Sequence, residues 1–286
     1  MNPESGIQNP PAMIPHFPPV WAEVFGEDDF GIFAECSVKD VRFVWRWIMP
    51  GRFQMGCDPQ DKHGFGDEKP QHEVMMSRGF WLGETPVTQA QWQAVMGTNP
   101  SQFKGDKRPV ESVTWHQCQD FAAQLNEHCP GLHAALPWES QWEYACRAGT
   151  QSAFNDGSAC TEPVGDDLAL RELGWFDKNS EGETQDARRK KPNAWGLYDM
   201  HGNVWEWCAD AWDEKAYAKR ADGAVDPRVD LADERAFRVV RGGSWDARAR
   251  GCRSACRDGD DPGDDWHSRG LRLAAGQNGL QAAEPQ

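Results

Sequence analysis

The sequence predicts an α+β domain with little regular secondary structure, and three observations carry that prediction. Well-capped helix starts lie in the first half of the chain, and strand-like alternation is confined to short segments. The second half has little periodicity and is rich in Gly, Asn and Asp. The 286 residues include 15 Trp, 3 Tyr and 28 Gly, a balance that favours long irregular segments pinned by indole rings over a helical bundle.

Two strand regions precede the helices. Residues 41–48 alternate in a strand-like way, a Pro-Gly turn follows, and residues 53–55 resume the pattern. Together they predict a β-hairpin. After a charged loop at residues 58–70, residues 72–80 predict a second strand region.

Two capping boxes predict where helices begin. Thr88 is followed three residues later by Gln91, and Thr114 by Gln117; in each pair the hydroxyl and the amide satisfy backbone groups of the first turn. The second helix carries apolar residues at helical spacing and ends near a Pro-Gly pair. A shorter third helix is predicted after Pro137.

Composition divides the chain into three parts. Residues 1–40 read as a Pro-rich N-terminal extension, residues 41–275 as the domain and residues 276–286 as a C-terminal tail. The N-terminus lacks the basic start and apolar stretch of a secretory signal, so we expect a cytoplasmic protein. Nine cysteines with no CxxC pair are expected to be reduced and mostly buried.

The charge balance argues against two classes of partner. Lys and Arg total 30 against 45 Asp and Glu, a net charge of −15, which repels phosphate backbones and anionic head groups. We therefore expect neither nucleic-acid nor membrane binding. The chain also has no apolar run near the ~18 residues that a membrane-spanning helix requires.

Several strings are too specific to be generic. They are residues 53–56 (FQMG), 86–89 (PVTQ) with Trp92, 97–101 (GTNPS), 109–111 (PVE), 142–150 (WEYACRAGT), 192–207 (PNAWGLYDMHGNVWEW) and 241–245 (RGGSW). In this order they resemble the formylglycine-generating enzyme, or sulfatase-modifying factor, family over residues 41–275. The resemblance implies a C-type-lectin-like fold with a small antiparallel sheet, flanking helices and long loops. Because both oxidases and ligand-binding proteins have this fold, the function has to be inferred from the residues of the site.

The resemblance implies a copper site, but this chain has only one of its two cysteine ligands. In the oxidases of the family two cysteines hold copper, three and eight residues after the serine of the RGGS string. Here that serine is Ser244, the first cysteine position is Ala247, and the second is Cys252. Cu(I) prefers paired thiolates, so we expect no copper. The alternative is an oxidase using Cys252 and Ser244 with Cys256 as the second thiolate; otherwise Cys252 is a small buried residue.

The resemblance also implies calcium at a loop near the second half of the domain. Asp199, Gly202, Val204 and Glu206 occupy positions that bind calcium in relatives, through side-chain and backbone oxygens. Such hard oxygen ligands suit Ca²⁺ in a structural role. The alternative is that the two carboxylates only bond the loop's own amides.

Residues 246–268 have an unusual composition. They contain no Lys, Glu, Gln or Met and one Trp, and none of these five types has a codon ending in C. Adenine-directed mutagenesis of AAC codons produces such a segment. It resembles the variable region of proteins diversified by diversity-generating retroelements, which use the same fold and end in a similar segment followed by a GxR string, here residues 270–272. The alternative is an ordinary acidic loop in a high-GC gene.

This resemblance separates the segment and its flanks into two sets of positions. The frame is made of residues 241–245, 252–255 and 270–272 with Arg257 and Pro262. The candidate variable positions are Asp246, Arg248, Gly251, Cys256, Asp258, Gly259, Asp260, Asp264, Asp265, His267 and Ser268. Trp245 and Trp266 are candidate aromatic anchors at the edges.

The sequence thus predicts a non-catalytic ligand-binding protein that displays a diversified surface on a lectin-like scaffold. Its partner is an unknown protein or other macromolecule, and the acidic face favours a basic one. The alternative is a formylglycine-generating or related copper-dependent oxidase that acts on a cysteine of a protein substrate.

Overall fold

A computed structural model describes residues 17–230, 233 and 235–276. The strands are β1 (Val24–Asp28), β2 (Gly31–Val38), β3 (Val41–Ile48), β4 (Gly51–Met55), β5 (His72–Met76), β6 (Phe80–Gly83), β7 (Trp205–Ala211), β8 (Ala224–Val225), β9 (Arg238–Arg241), β10 (Arg257–Asp260), β11 (Arg269–Leu271) and β12 (Ala274–Ala275). The α-helices are α1 (Gln89–Met96), α2 (Trp115–His128), α3 (Glu139–Arg147), α4 (Leu168–Leu173) and α5 (Ala216–Lys219). Short helices and small sheets joined by long loops confirm the α+β, lectin-like prediction.

Three small sheets organise these strands. The largest has the order β1-β2-β3-β6-β12 with antiparallel neighbours throughout. A second sheet has the order β10-β9-β7-β11, in which β11 joins β7 in parallel, and a third has the order β4-β5-β8. The second sheet positions the candidate site, because β10 and β11 lie within or beside residues 246–268.

The expected hairpin between residues 41–48 and 53–55 is wrong in its pairing. Both segments are strands, but β3 is hydrogen-bonded on one edge to β2 and on the other to β6. With both edges of β3 occupied, β4 pairs instead with β5, and Phe53 lies opposite Val74. Alternation identified the strands, whereas pairing depended on segments far along the chain.

The expected boundary at residue 40 does not separate an extension from the domain. β1 and β2 are the first two strands of the largest sheet, and Ala34, Cys36 and Val38 of β2 are buried in its core. Residues 1–16 of the expected extension and residues 277–286 of the expected tail lie outside the described residues.

The helix starts are confirmed at the level of individual hydrogen bonds. The Gln91 backbone N–H donates to Thr88 Oγ1 while Gln91 Oε1 accepts from the Thr88 backbone N–H, and Thr114 and Gln117 repeat the arrangement. The third helix, α3, follows Pro137 as expected.

The core lies between the largest sheet and the helix pair α1 and α2. The Trp92 ring of α1 stacks on Phe121 of α2 at 4.9 Å between centroids. Indole N–H groups also pin loops and strands together, as predicted: Trp207 Nε1 donates to the carbonyl of Val113 at 3.0 Å, and Trp115 Nε1 donates to that of Cys208 at 2.9 Å. Among the described residues, no helix is long and apolar enough to cross a membrane.

Candidate functional site

The frame residues around residues 246–268 are buried. All of them are buried except Trp245, which is half-buried. The set consists of residues 241–245, 252–255 and 270–272 with Arg257 and Pro262. Three of the arginines, at positions 241, 253 and 272, have no exposed surface. Burying so many charges is tolerable only when each is paired.

Acidic residues from distant segments provide that pairing. Glu139 of α3 receives a bidentate bond from Arg257, at 2.6 and 2.9 Å. Glu68 binds Arg253 in the same way, at 2.8 and 2.5 Å. Ion pairs on the buried side of residues 246–268 therefore connect this segment to residues that lie outside it.

A second carboxylate of α3 extends the network. Glu143, one helical turn after Glu139, binds Arg241 of β9 and, at 2.9 Å, Arg147 Nε. Burial by itself would raise the pKa of Glu139, but the charges of Arg257 and Arg241 lower it to about 2. Burial acts in the same way on Glu143, and the charges of Arg147 and Arg241 lower its pKa as well. Both carboxylates are thus charged at neutral pH, and the underside of the candidate site is a buried ionic layer.

Most of the candidate variable positions face outward. Within β10, Arg257 points into the ionic layer and the next residue, Asp258, is exposed, as the alternation of a strand requires. The positions that are exposed or half-buried are Asp246, Arg248, Gly251, Asp258, Gly259, Asp260, Asp264, Asp265 and His267. We call this set, with Trp245 and Trp266, the display face.

Two expected variable positions do not lie on the display face. Cys256 is 3% exposed and packs in the main core, and its backbone N–H donates to the Arg253 carbonyl at 3.0 Å in a turn that precedes β10. Ser268 is 7% exposed, and its carbonyl accepts a bond from the Trp205 N–H as β11 joins the sheet. Their side chains therefore contribute little to any contact surface.

A third position, Gly259, is at the surface but sterically restricted. A Cβ atom there would lie 2.3 Å from Cγ of the Trp212 ring. At Gly251, by contrast, the nearest atom would be Ala247 Cβ at 3.6 Å, an ordinary contact. Sequence reasoning grouped the two glycines, and only the packing distinguishes them.

An aromatic cluster joins the two halves of the display face. Trp245 and His267 lie 5.5 Å apart between ring centroids, and Trp245 Nε1 donates to the His267 carbonyl at 3.1 Å. Phe103 packs edge-on against Trp245 at 5.3 Å and also contacts His267. Phe103 was not among the residues predicted from the sequence, although the GTNPS string ends two residues before it. Trp266 is the more exposed anchor, at 55%.

The comparisons with known proteins agree with this architecture. Residues 43–276 match the sulfatase-modifying factor enzyme 1-like domain. The chain belongs to this family. It is 31% identical over 244 residues to a formylglycine-generating enzyme of Thermomonospora curvata, covering 82% of this chain and 73% of that enzyme. It is 28% identical to the Mus musculus formylglycine-generating enzyme, of which it spans about half, 53%.

A solved structure of a variable protein is also similar to this family member. Treponema denticola variable protein 1 superposes with a TM-score of 0.69 at 29% sequence identity, covering 86% of this chain and 99% of that one. The lectin-like fold of the sulfatase-modifying factor family is therefore shared with a protein that is named for its variability.

The copper pair of the oxidases does not fit the residues of this family member. Cys252 is fully buried against an apolar cluster that includes Phe154 and Phe176, and burial raises the pKa of its thiol well above the usual range. A methyl group stands at Ala247, where a second thiolate would be needed. Cys256 packs in a different core cluster, and burial raises the pKa of its thiol to about 12. Ser244 Oγ bonds Asp246 at 2.5 Å.

The expected calcium ligands also have other partners here. Both oxygens of Glu206 are engaged, by Arg272 at 2.9 to 3.2 Å and by Trp142 Nε1 at 2.6 Å. The carbonyl of Gly202 accepts a bond from the Val204 N–H. A carboxylate neutralised by a buried arginine is a poor ligand for a hard cation, so this arrangement does not fit calcium.

Asp199 is the other carboxylate among the expected ligands. Burial raises its pKa to about 6, and its Oδ2 accepts from the Arg188 backbone N–H at 2.9 Å. Asp199 therefore bonds a backbone amide, as in the alternative that the sequence left open, whereas Glu206 bonds side chains from distant segments and not the loop's own amides. Among the described residues, no cluster of three or more His, Cys, Asp or Glu side chains is arranged to hold a metal ion.

Proposed function

We propose that this protein is a non-catalytic, ligand-binding member of the sulfatase-modifying factor family. On this proposal the display face is the contact surface, and its composition has been diversified by a retroelement. The single observation that carries the proposal is the division within residues 241–272: frame residues are buried and ion-paired, whereas most candidate variable positions face solvent. Such a division lets surface residues change without disturbing the fold.

The chemistry of the display face supports a basic macromolecular partner. Asp246, Asp258 and Asp265 are exposed on it, and Trp266 offers a large apolar surface beside them. Exposed carboxylates steer and orient a positively charged partner, while an aromatic side chain provides contact area. The similarity to Treponema denticola variable protein 1 supports the same proposal.

The test of diversification is to sequence the gene and its surroundings in many isolates. We expect a nearby imperfect copy of codons 246–268 and a reverse-transcriptase frame. Substitutions should fall at template adenines and at codons of exposed positions such as Asp246, Arg248 and Asp258, while the codons of Arg253 and Arg257 stay fixed. A segment that is identical in all isolates, with no copy nearby, would overturn the diversified-surface proposal.

The oxidase is the rival function, favoured by the 31% identity to a formylglycine-generating enzyme. A Cu(I) titration of the whole protein separates the two. We expect wild type to bind Cu(I) no more tightly than Cys252→Ala, because Ala247 supplies no second thiolate. Tight one-to-one binding that is lost in Cys252→Ala would instead establish the metal site of an oxidase.

A further inference from the structure

A cleft between two loops lies outside the display face. Its volume is about 360 Å³, within the range of about 300–1,000 Å³ that small-molecule sites occupy. Residues of the loops at 57–63 and 151–160 form its walls, and the buried residues Arg147, Arg253 and Ala255 complete its lining. No residue of the display face lines it. The cleft is therefore a second candidate binding site on the same scaffold.

The backbone of residues 151–153, which line the cleft, has its carbonyls occupied and its amides free. The first two carbonyls accept bonds from Arg147 Nη1, at 3.1 and 3.2 Å. The third accepts from the backbone N–H and the hydroxyl of Ser254, at 2.8 and 3.1 Å. Within the part of the chain that the structure describes, the three N–H groups have no acceptor. Successive amides in a loop favour an anion.

Cationic side chains add to this preference for an anion. Arg147 and Arg253 contribute two buried guanidinium groups to the lining, and Arg253 Nε has no acceptor. Lys62, on the other loop, is exposed, and its ammonium group has no ion-pair partner among the described residues. A negatively charged ligand would give these donors the acceptor that the protein does not supply.

Two carboxylates also line the cleft, but both bond donors within the lining. Asp58 Oδ1 accepts from the Gln60 backbone N–H at 2.7 Å. Asp61 Oδ1 accepts from the His63 backbone N–H at 2.8 Å, and its Oδ2 accepts from Arg253 Nη1 at 3.4 Å. Their negative charge is therefore partly balanced by their own loop and by Arg253, while the amides of the facing loop stay without an acceptor.

The rest of the lining includes small apolar side chains. Ala153, Ala159 and Ala255 contribute methyl groups, and Cys57 and Cys160 contribute thiols. Burial raises the pKa of each of these two thiols to about 12, so both are neutral at physiological pH and behave as apolar groups. A compact apolar group of a ligand therefore has a surface to pack against.

We propose that this cleft binds a small organic anion that carries a carboxylate or phosphate group on a compact apolar body. The anionic group bonds the amides of residues 151–153 and the ammonium group of Lys62, and the apolar body packs against the alanines. The site is independent of the display face, so the protein holds a small ligand whether or not its display face has been diversified.

The experiment titrates the full chain with benzoate and with phenyl phosphate, and uses benzylamine as a probe of similar size and opposite charge. Isothermal titration calorimetry should give a Kd on the order of 1 mM or tighter for at least one anion, and binding of benzylamine should be at least tenfold weaker. The tighter anion shows whether the ligand is a carboxylate or a phosphate ester. Hydrogen exchange should slow at residues 57–63 and 151–160 in the complex and stay unchanged on the display face.

Variants make the test specific. Ala159→Trp places a large side chain in the cleft at an exposed position and should weaken anion binding at least tenfold. Ala194→Trp, at an exposed position that does not line the cleft, should bind as wild type does. Lys62→Gln should weaken binding about two- to fivefold, as expected for an exposed charge. If Ala159→Trp fails to fold, Lys62→Gln and the exchange map decide.

Four results would overturn the proposal. They are no binding of either anion at about 10 mM, benzylamine binding as tight as that of the anions, slowed exchange only outside the two loops, and unchanged binding in a folded Ala159→Trp variant.

Discussion

Single residues on the display face differ in what they tolerate, and two glycines show this best. Gly259 is covered by the Trp212 ring, whereas Gly251 has ordinary space around it. The sequence pattern predicts substitution at both positions and gives no indication of this difference in packing. Fewer positions can therefore accept substitutions than the sequence pattern of residues 246–268 suggests, since Gly259 is confined and Cys256 and Ser268 are buried.

We predict that Gly259→Ala lowers the free energy of unfolding by about 1–3 kcal/mol, because the rigid indole of Trp212 has to move. Gly251→Ala, its matched control within the same segment, should change that free energy by less than about 0.5 kcal/mol. Urea denaturation followed by tryptophan fluorescence measures both. Equal effects at the two positions would show that Trp212 does not confine Gly259.

The buried arginines of the segment should be far less replaceable than the exposed one. Arg257→Met removes the bidentate partner of Glu139, which keeps only the Tyr217 hydroxyl at 3.2 Å and the more distant Arg241 Nε at 3.8 Å. We expect a loss of about 3–5 kcal/mol. Arg248→Met, at an exposed position of the same segment, should fall within about 0.5 kcal/mol of wild type. Denaturation curves of the two variants test this contrast, and similar curves would contradict the ionic layer.

At the scale of elements, α3 and β10 supply the buried charged residues that lie beneath the display face. α3 presents Glu139 and Glu143 one turn apart on a buried face, where they meet Arg257 and Arg241 from two adjacent strands. The sequence predicted α3 from its position after Pro137. It did not predict that the helix would bury two carboxylates, because polar residues ordinarily mark the solvent face of a helix.

The depressed pKa of Glu139 makes stability depend on acid. Its folded-state pKa of about 2 lies below the ordinary glutamate value of 4.5, so its contribution to the free energy of unfolding is present above pH 4.5 and is lost as pH falls toward 2. We predict that Glu139→Gln loses less stability than wild type over that interval, by on the order of 3 kcal/mol. Urea denaturation of both proteins from pH 5 to about 2 measures the difference. Parallel pH profiles would contradict the assignment.

At the scale of the whole molecule, the scaffold and the display face are separable. The ion pairs of Arg253 and Arg257 run to Glu68 and Glu139, which lie outside residues 246–268. The outward side chains of Asp246, Arg248, Asp258 and Asp265 do not take part in that layer. A fold built in this way keeps its stability while its surface changes, which is the property that a diversified binding protein needs.

We therefore predict that replacing Asp246, Arg248, Asp258 and Asp265 together with Ser shifts the thermal midpoint by no more than about 4 °C, since exposed substitutions are individually small. The same protein carrying Glu68→Gln in addition should melt much lower, because the Arg253 charge loses its buried partner. Differential scanning calorimetry of both variants tests the separation. A large drop in the fourfold variant alone would show that the display face contributes to the fold.

The sequence by itself determined the class of fold, the helix starts at Thr88 and Thr114 and the family motifs. It also predicted which residues of 241–272 are buried and which face outward, except Cys256 and Ser268. These are readable because caps, alternation and motif strings are local. The tertiary structure alone decided that β3 pairs with β2 and β6 and that β1 and β2 belong to the largest sheet. It also decided that Glu206 is held by Arg272. Each of these depends on contacts between residues far apart in the chain. Which of those contacts form depends on whether apolar surface can be buried and every buried charge paired at the same time.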